Sequence, residues 1–146
     1  MSLSAHGTVL LGVILPEEYL QVRGPLERVC PDDVKHEITD KAYCPCCGNC
    51  IIDRRNWNPS PIVQAYANKM QTSTDNALLQ LLRYVYRAPR QNFTLFGIEL
   101  TSAGTNRTNI CSLDKIQEGT TLLRPLLIDI GLDPNDLALH LFVEMH

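Results

Sequence analysis

Four of the six cysteines fall within seven residues, in the segment Tyr43-Cys44-Pro45-Cys46-Cys47-Gly48-Asn49-Cys50. Sulfurs so close along a chain cannot easily reach the separation a relaxed disulfide requires. A chain of 146 residues with 45% hydrophobic content can also build a core without such staples. The segment therefore predicts reduced thiols, an intracellular (cytoplasmic) setting and a bound metal ion. Cys44 and Cys47, three apart, place both sulfurs on one side of a tight turn, where a tetrahedral ion sits about 2.3 Å from each. Gly48 permits the positive φ that folds the turn under the ion, and backbone N–H groups then face the thiolates. A closed structural site takes four ligands. Cys50, Cys30 and His36 are the candidates for the remainder, the last two lying before the knuckle across a short connection. Cys46, between the ligand pair, is expected to point away, and Cys111 to belong to the core.

The C-P-x-C-G core resembles the metal knuckles of zinc ribbons and rubredoxins over these few residues. A zinc ribbon adds a second C-x-x-C from farther along, and this sequence has none. Cys44, Cys47 and Cys50 also form C-x2-C-x2-C, and with Cys30-Pro31 they resemble the cysteine supply of a ferredoxin-type [4Fe–4S] cluster. Against that stand the knuckle glycine and the lack of a second hydrophobic cysteine run. A thiol-redox C-x-x-C wants its second cysteine inside a helix, which Gly48-Asn49 would break. Zinc is the expected cofactor, with the iron–sulfur cluster, redox chemistry and a metal-free loop as alternatives.

Apolar periodicity lays out the scaffold. Residues 8–15, TVLLGVIL, read as a buried strand: eight residues are too few to span a bilayer. MSLSAHG before them carries no Lys or Arg, as a signal peptide would. Pro16-Glu17-Glu18 predicts a helix start, ended by Gly24-Pro25. Residues 26–57 read as an irregular, metal-organised insertion. Ser60-Pro61 opens a short helix carrying Ile62, Val63, Tyr66 and Met70. Ser73 or Thr74 caps a second helix, DNALLQLLRYVYR, which ends before Pro89. Residues 93–101 form a strand. Ser112 caps a long helix with Leu113, Ile116, Leu123, Leu127 and Ile130 on one face, kinked by Pro125 and ended by Gly131. In 137–145, Leu137, Leu139, Leu141, Val143 and Met145 alternate with Ala138, His140, Phe142 and Glu144, and the first set is expected to be core. The fold class is α+β: one domain, 1–146, with a small, mostly antiparallel sheet packed with helices and 26–57 as the metal-binding insertion.

Thirteen basic against sixteen acidic residues, net −3, disfavour bulk nucleic-acid affinity. A local exception is Arg54, Arg55 and Trp57, which can grip a phosphate and stack on a base. Arg83, Arg87 and Arg90 read as a solvated helix side paired with local acids, His140 as structural, and His6 and His146 as bystanders. The sequons at Asn92 and Asn106 carry no weight without secretion. No G-x-S-x-G, phosphate loop, H-E-x-x-H or dinucleotide fingerprint is present, and the chain reads as non-enzymatic. Gly12-Val13-Ile14-Leu15-Pro16, the lone knuckle from Cys44 to Gly48 and the closing helix and strand over 112–145 together resemble small uncharacterised proteins of bacteriophages and related mobile elements. That resemblance implies an accessory or host-directed binding protein in the bacterial cytoplasm. The expected partner is another protein, with a nucleic-acid-associated module as the alternative and no membrane role.

Overall fold

The computed structural model describes residues 4–88, 93–105 and 107–145. In chain order the elements are β1 (Ala5–Ile14), β2 (Gln21–Val29), β3 (Ile52–Pro59), α1 (Pro61–Met70), α2 (Thr74–Leu82), β4 (Val85–Ala88), β5 (Phe93–Gly104), α3 (Leu113–Asp129), a 3-10 turn at Pro134–Asp136, and β6 (Ala138–Met145). They make an α+β fold of two antiparallel sheets and three helices: a four-stranded sheet in the order β4-β5-β1-β6, and a separate two-stranded ribbon, β2-β3.

β1 is central because nearly every side chain of its second half is apolar, on both faces. Leu11 and Val13 lie on the face that receives the helices, with Phe96, Ile98 and Leu100 of β5 alongside. Leu10 and Leu95 are buried on the opposite face. Each helix starts at a serine whose hydroxyl accepts a backbone N–H three residues on: Ser60 from Val63, Ser73 from Asn76, Ser112 from Lys115. Such caps satisfy one of the N–H groups a helix start leaves without a partner. α3 presses Gly119 onto the sheet so closely that a Cβ there would stand 2.7 Å from Ile98 Cδ1 and 3.0 Å from Leu11 Cδ2. It continues through Pro125 to Asp129, and its last turn is tied down by Tyr19, whose hydroxyl donates to the Ile130 carbonyl at 2.6 Å.

Several segments depart from the sequence-based expectation. Pro16–Leu20 is a turn, not a helix: the Tyr19 N–H reaches back to the Pro16 carbonyl, and Glu18 sits at φ 55°. The chain then enters β2, where Gly24-Pro25 falls at a register shift between Arg23 and Leu26. Both strands of a two-stranded ribbon are edges, so a proline at a bulge costs no central ladder. Residues 26–57 accordingly contain parts of two strands, and the irregular stretch narrows to 30–51. α2 ends at Leu82, and Tyr84-Val85-Tyr86-Arg87 turns into β4, whose β-branched and aromatic residues suit a pleated surface. On α3, Leu123, Leu127 and Ile130 are buried and Ile116 partly so, whereas Leu113 is exposed in the first turn.

The last strand holds the largest difference. Its odd residues do share the helix-side face, since Leu139 pairs with Leu11 and Leu141 with Val9. Yet α3 packs over β5 and β1, and Leu139, Leu141, Val143 and Met145 remain 53–68% exposed. Facing was legible from the alternation; coverage by a second layer was not. The chain exposes 10197 Å², against about 7,500 Å² expected of a compact monomer of its mass. The open ribbon and the uncovered strand contribute to that surplus. No helix among the described residues is long and apolar enough to cross a membrane.

Candidate metal centre

The ribbon carries the cysteines at its far end. β2 and β3 pair from Gln21 opposite Pro59 to Val29 opposite Ile52, so Cys30 leaves the ladder at the point where the knuckle returns to it. Within 30–51 the knuckle is a small hairpin of its own. Ile51 N–H donates to the Ala42 carbonyl, Cys44 N–H to Asn49 and Gly48 N–H to Cys44, with Tyr43 bridged to Cys50. Gly48 has φ +77° and nothing within 4 Å of its missing Cβ, so its role is the turn itself. Arg28, one residue inside the ladder, donates to the carbonyls of Thr39 and Lys41 at 3.3 and 3.0 Å and pins the loop to the ribbon.

These constraints gather one donor atom from each of Cys30, His36, Cys44 and Cys47 within 4.8 Å of one another. Cys30 Sγ lies 3.3 Å from Cys47 Sγ, and Cys44 Sγ lies 3.7 Å from His36 Nδ1. Two sulfurs on one tetrahedral zinc stand about 3.8 Å apart, by simple geometry from the 2.3 Å bond. The cluster therefore has the dimensions to hold a single metal ion, and its three-sulfur, one-imidazole donor set is a familiar one for zinc. Cys30 and Cys44 are buried, His36 is half-buried and Cys47 is exposed. Of the five residues the sequence offers as ligands, Cys50 stays outside the group, exposed, with Sγ 3.7 Å from the Ile51 carbonyl. Cys46 is exposed, and Cys111 packs partly buried against the core.

The electrostatics of the thiols point the same way. The backbone N–H of Asp33, helped by His36, the N–H of Asp32 and the Cys47 thiol, holds Cys30 below the ordinary thiol value, with burial opposing. Burial pushes Cys44 up, but the N–H groups of Cys47 and Cys46 and the thiols of Cys47 and Cys30 outweigh it, and the net shift is downward. Cys47 moves in the other direction. The Asn49 N–H favours its thiolate, but Cys30, burial and Cys44 together push it up to about 11. Two sulfurs are thus shifted toward the thiolate, and the third away from it, because negative charge on its neighbours raises the cost of ionising it as well. A divalent cation supplies the compensating charge.

The arginine–tryptophan run is divided by the strand it occupies. Arg55 and Trp57 share one face of β3 with Asp53, and Arg54 lies on the other with Asn56. Opposite Arg54 stands Glu27, opposite Asp53 stands Arg28, and the Arg23 guanidinium lies 5.3 Å from the Trp57 ring centroid. Arg23 also pairs with Glu18 at 3.4 Å, at the edge of an open cleft of about 440 Å³ between the β1–β2 turn and β4. Arg83 caps α2 and Arg87 lies on β4; Arg90, Asn92, Asn106 and His146 lie outside the described residues. His140 Nε2 is 3.2 Å from the Gly12 carbonyl, with its ring against Phe93.

No family model, curated protein or solved structure matches the chain.

Proposed function

We propose that this chain is a non-enzymatic, zinc-stabilised binding protein that acts through protein–protein contacts, with the metal-tipped β2–β3 arm as its recognition element. The observation that carries the reading is the arm's composition together with its exposure. Leu26, Val34, Tyr43, Ile52 and Trp57 are all large, apolar and exposed on it. Residues 21–59 hold six basic and six acidic side chains, several of them set opposite one another across the ribbon. Scattered exposed apolar residues with compensated charge suit a protein surface; a phosphate backbone calls for uncompensated cations. Zinc fits better than an iron–sulfur cluster. Four sulfurs must surround several iron atoms in a [4Fe–4S] site, whereas here the fourth donor is an imidazole and Cys50 stands apart. A small accessory protein of bacteriophage type, directed at a host protein in the bacterial cytoplasm, is the setting we propose for such an arm.

The test pairs metal analysis with partner capture from a bacterial extract. Expected results are one zinc per chain, no visible chromophore, and a partner retained by the wild type and lost by Trp57→Ala and Leu26→Ala variants that keep their zinc. Brown protein, or retention indifferent to both substitutions, would overturn the reading. The nucleic-acid alternative rests on the face shared by Arg23, Arg55 and Trp57. It requires binding of a labelled single strand that weakens steeply with added salt.

A further inference from the structure

The two edges of the main sheet are unlike. β4 is four residues long, and a short edge strand offers little for another chain to pair with. β6 is eight residues, ALHLFVEM, with no proline or lysine and no register break against β1. Among the described residues, of the devices by which natural sheets protect a long edge it carries a single charge, Glu144, and neither proline, lysine nor bulge.

The direction of its free backbone groups follows from hydrogen bonds elsewhere in the sheet. Gly97 N–H donates to Tyr84 on the β4 side, and Leu15 N–H donates to Thr94 of β5. Since bonding direction alternates along a strand, Leu11 and Val13 turn their backbone toward β5, and Leu10 and Gly12 toward β6. In the β1–β6 register Gly12 meets Ala138 and Leu10 meets His140. Ala138, His140, Phe142 and Glu144 therefore bond to β1, and Leu139, Leu141, Val143 and Met145 direct N–H and C=O outward. The residues with outward backbone are the same ones whose apolar side chains are 53–68% exposed.

We infer that β6 pairs antiparallel with β6 of a second copy of this chain, about a two-fold axis at Phe142, to give a homodimer with one continuous eight-stranded sheet. A two-fold perpendicular to the sheet pairs residues of equal parity, and centring it on Phe142 uses 139–145 of both copies within the strand. On the helix side Leu139 then meets Met145 of the other copy, and Leu141 meets Val143. On the far side His140 meets Glu144, and Phe142 meets itself beside Phe93, which already lies 5.6 Å from Phe142 within one chain. Every apolar residue meets an apolar one and the acid meets the imidazole, so the strand is complementary to itself. Closed two-fold pairing is also the commonest form of homo-oligomer.

The test is sedimentation and light scattering over a concentration range, with two variants. Wild type is expected at twice the 16.4 kDa chain mass. Val143→Pro removes an N–H that β1 does not use, and Leu141→Lys places a charge on the exposed row; both are expected to be folded monomers by circular dichroism. If the proline variant fails to fold, Leu141→Lys decides alone. In the dimer, amide exchange at 139, 141, 143 and 145 is expected to slow with concentration. A wild type monomeric at all concentrations, a dimer indifferent to Leu141→Lys, or odd-numbered amides unprotected in the dimer would each overturn the inference. In the last two cases the copies meet elsewhere and β6 remains open to another partner.

Discussion

At the scale of single residues the metal centre makes sharp demands. Cys30→Ser, Cys44→Ser and Cys47→Ser are expected to reduce zinc to a small fraction per chain in elemental analysis. Cys50→Ser and Cys111→Ser are expected to leave it at one. The Cys47 thiol adds a pH dependence whose sign can be worked out. Its value without metal, about 11, is above the ordinary 9.0. The protonated thiol thus stabilises the metal-free arm below pH 9, and that contribution is lost as pH rises through about 11. Zinc must expel this proton, so its affinity should rise with pH between 6 and 9. Loading in weak buffer at pH 7.5 should release at least one proton per ion, read with an indicator dye. Proton-neutral loading would mean that Cys47 is not a ligand.

Among the elements, α3 and the sheet are in tightest contact at Gly119. Gly119→Val forces its branched Cβ into the space held by Ile98 and Leu11, and a loss of about 1–3 kcal/mol in urea unfolding is expected. Ser60→Ala removes the α1 cap and should cost about 1 kcal/mol. The caps were legible in the sequence because a cap is local: Ser60-Pro61, Ser73-Thr74 and Ser112 declare their helices within four residues. The strands β2 and β3 were not, because a ribbon wet on both faces shows no apolar alternation. What orders them is the backbone ladder between Gln21–Val29 and Ile52–Pro59, with Glu27 opposite Arg54 and Arg28 opposite Asp53, which is visible only once the register is known. Pro16-Glu17-Glu18 imitates a helix start, and nothing local reveals that Glu18 takes a positive φ instead. Tyr84-Val85-Tyr86 did carry a strand signal, masked by the helical stripe of Leu78 and Leu81 running into it. Of the donors, the knuckle pair was fixed by spacing. The choice of His36 and Cys30 over Cys50 depends on how the hairpin 42–51 turns, which is a matter of backbone hydrogen bonds.

For the whole molecule, the core and the metal centre occupy different places. The core cluster joins β1, β5 and the three helices, and the four candidate donors belong to the loop at the ribbon tip. Chelation is therefore expected to erase amide protection in 30–51 and leave that of Leu11, Phe96 and Leu123 intact; loss of protection throughout would show that the two are one cooperative unit. The central position of β1 bears also on the order of events during synthesis. Ala5 pairs with Met145, so the strand that organises the sheet emerges first and waits for the last one made. At about 5–20 residues per second the wait for β6 is roughly 7 to 28 s, and that for β5, whose Gly104 pairs with His6, is roughly 5 to 20 s; until β5 arrives this apolar stretch of chain has no lasting partner and relies on chaperones or on transient burial. The arm has no such delay, since everything it needs lies between Gln21 and Pro59. A nascent chain can thus carry a finished arm, its four donors already gathered, while the domain that will bear it is still being assembled.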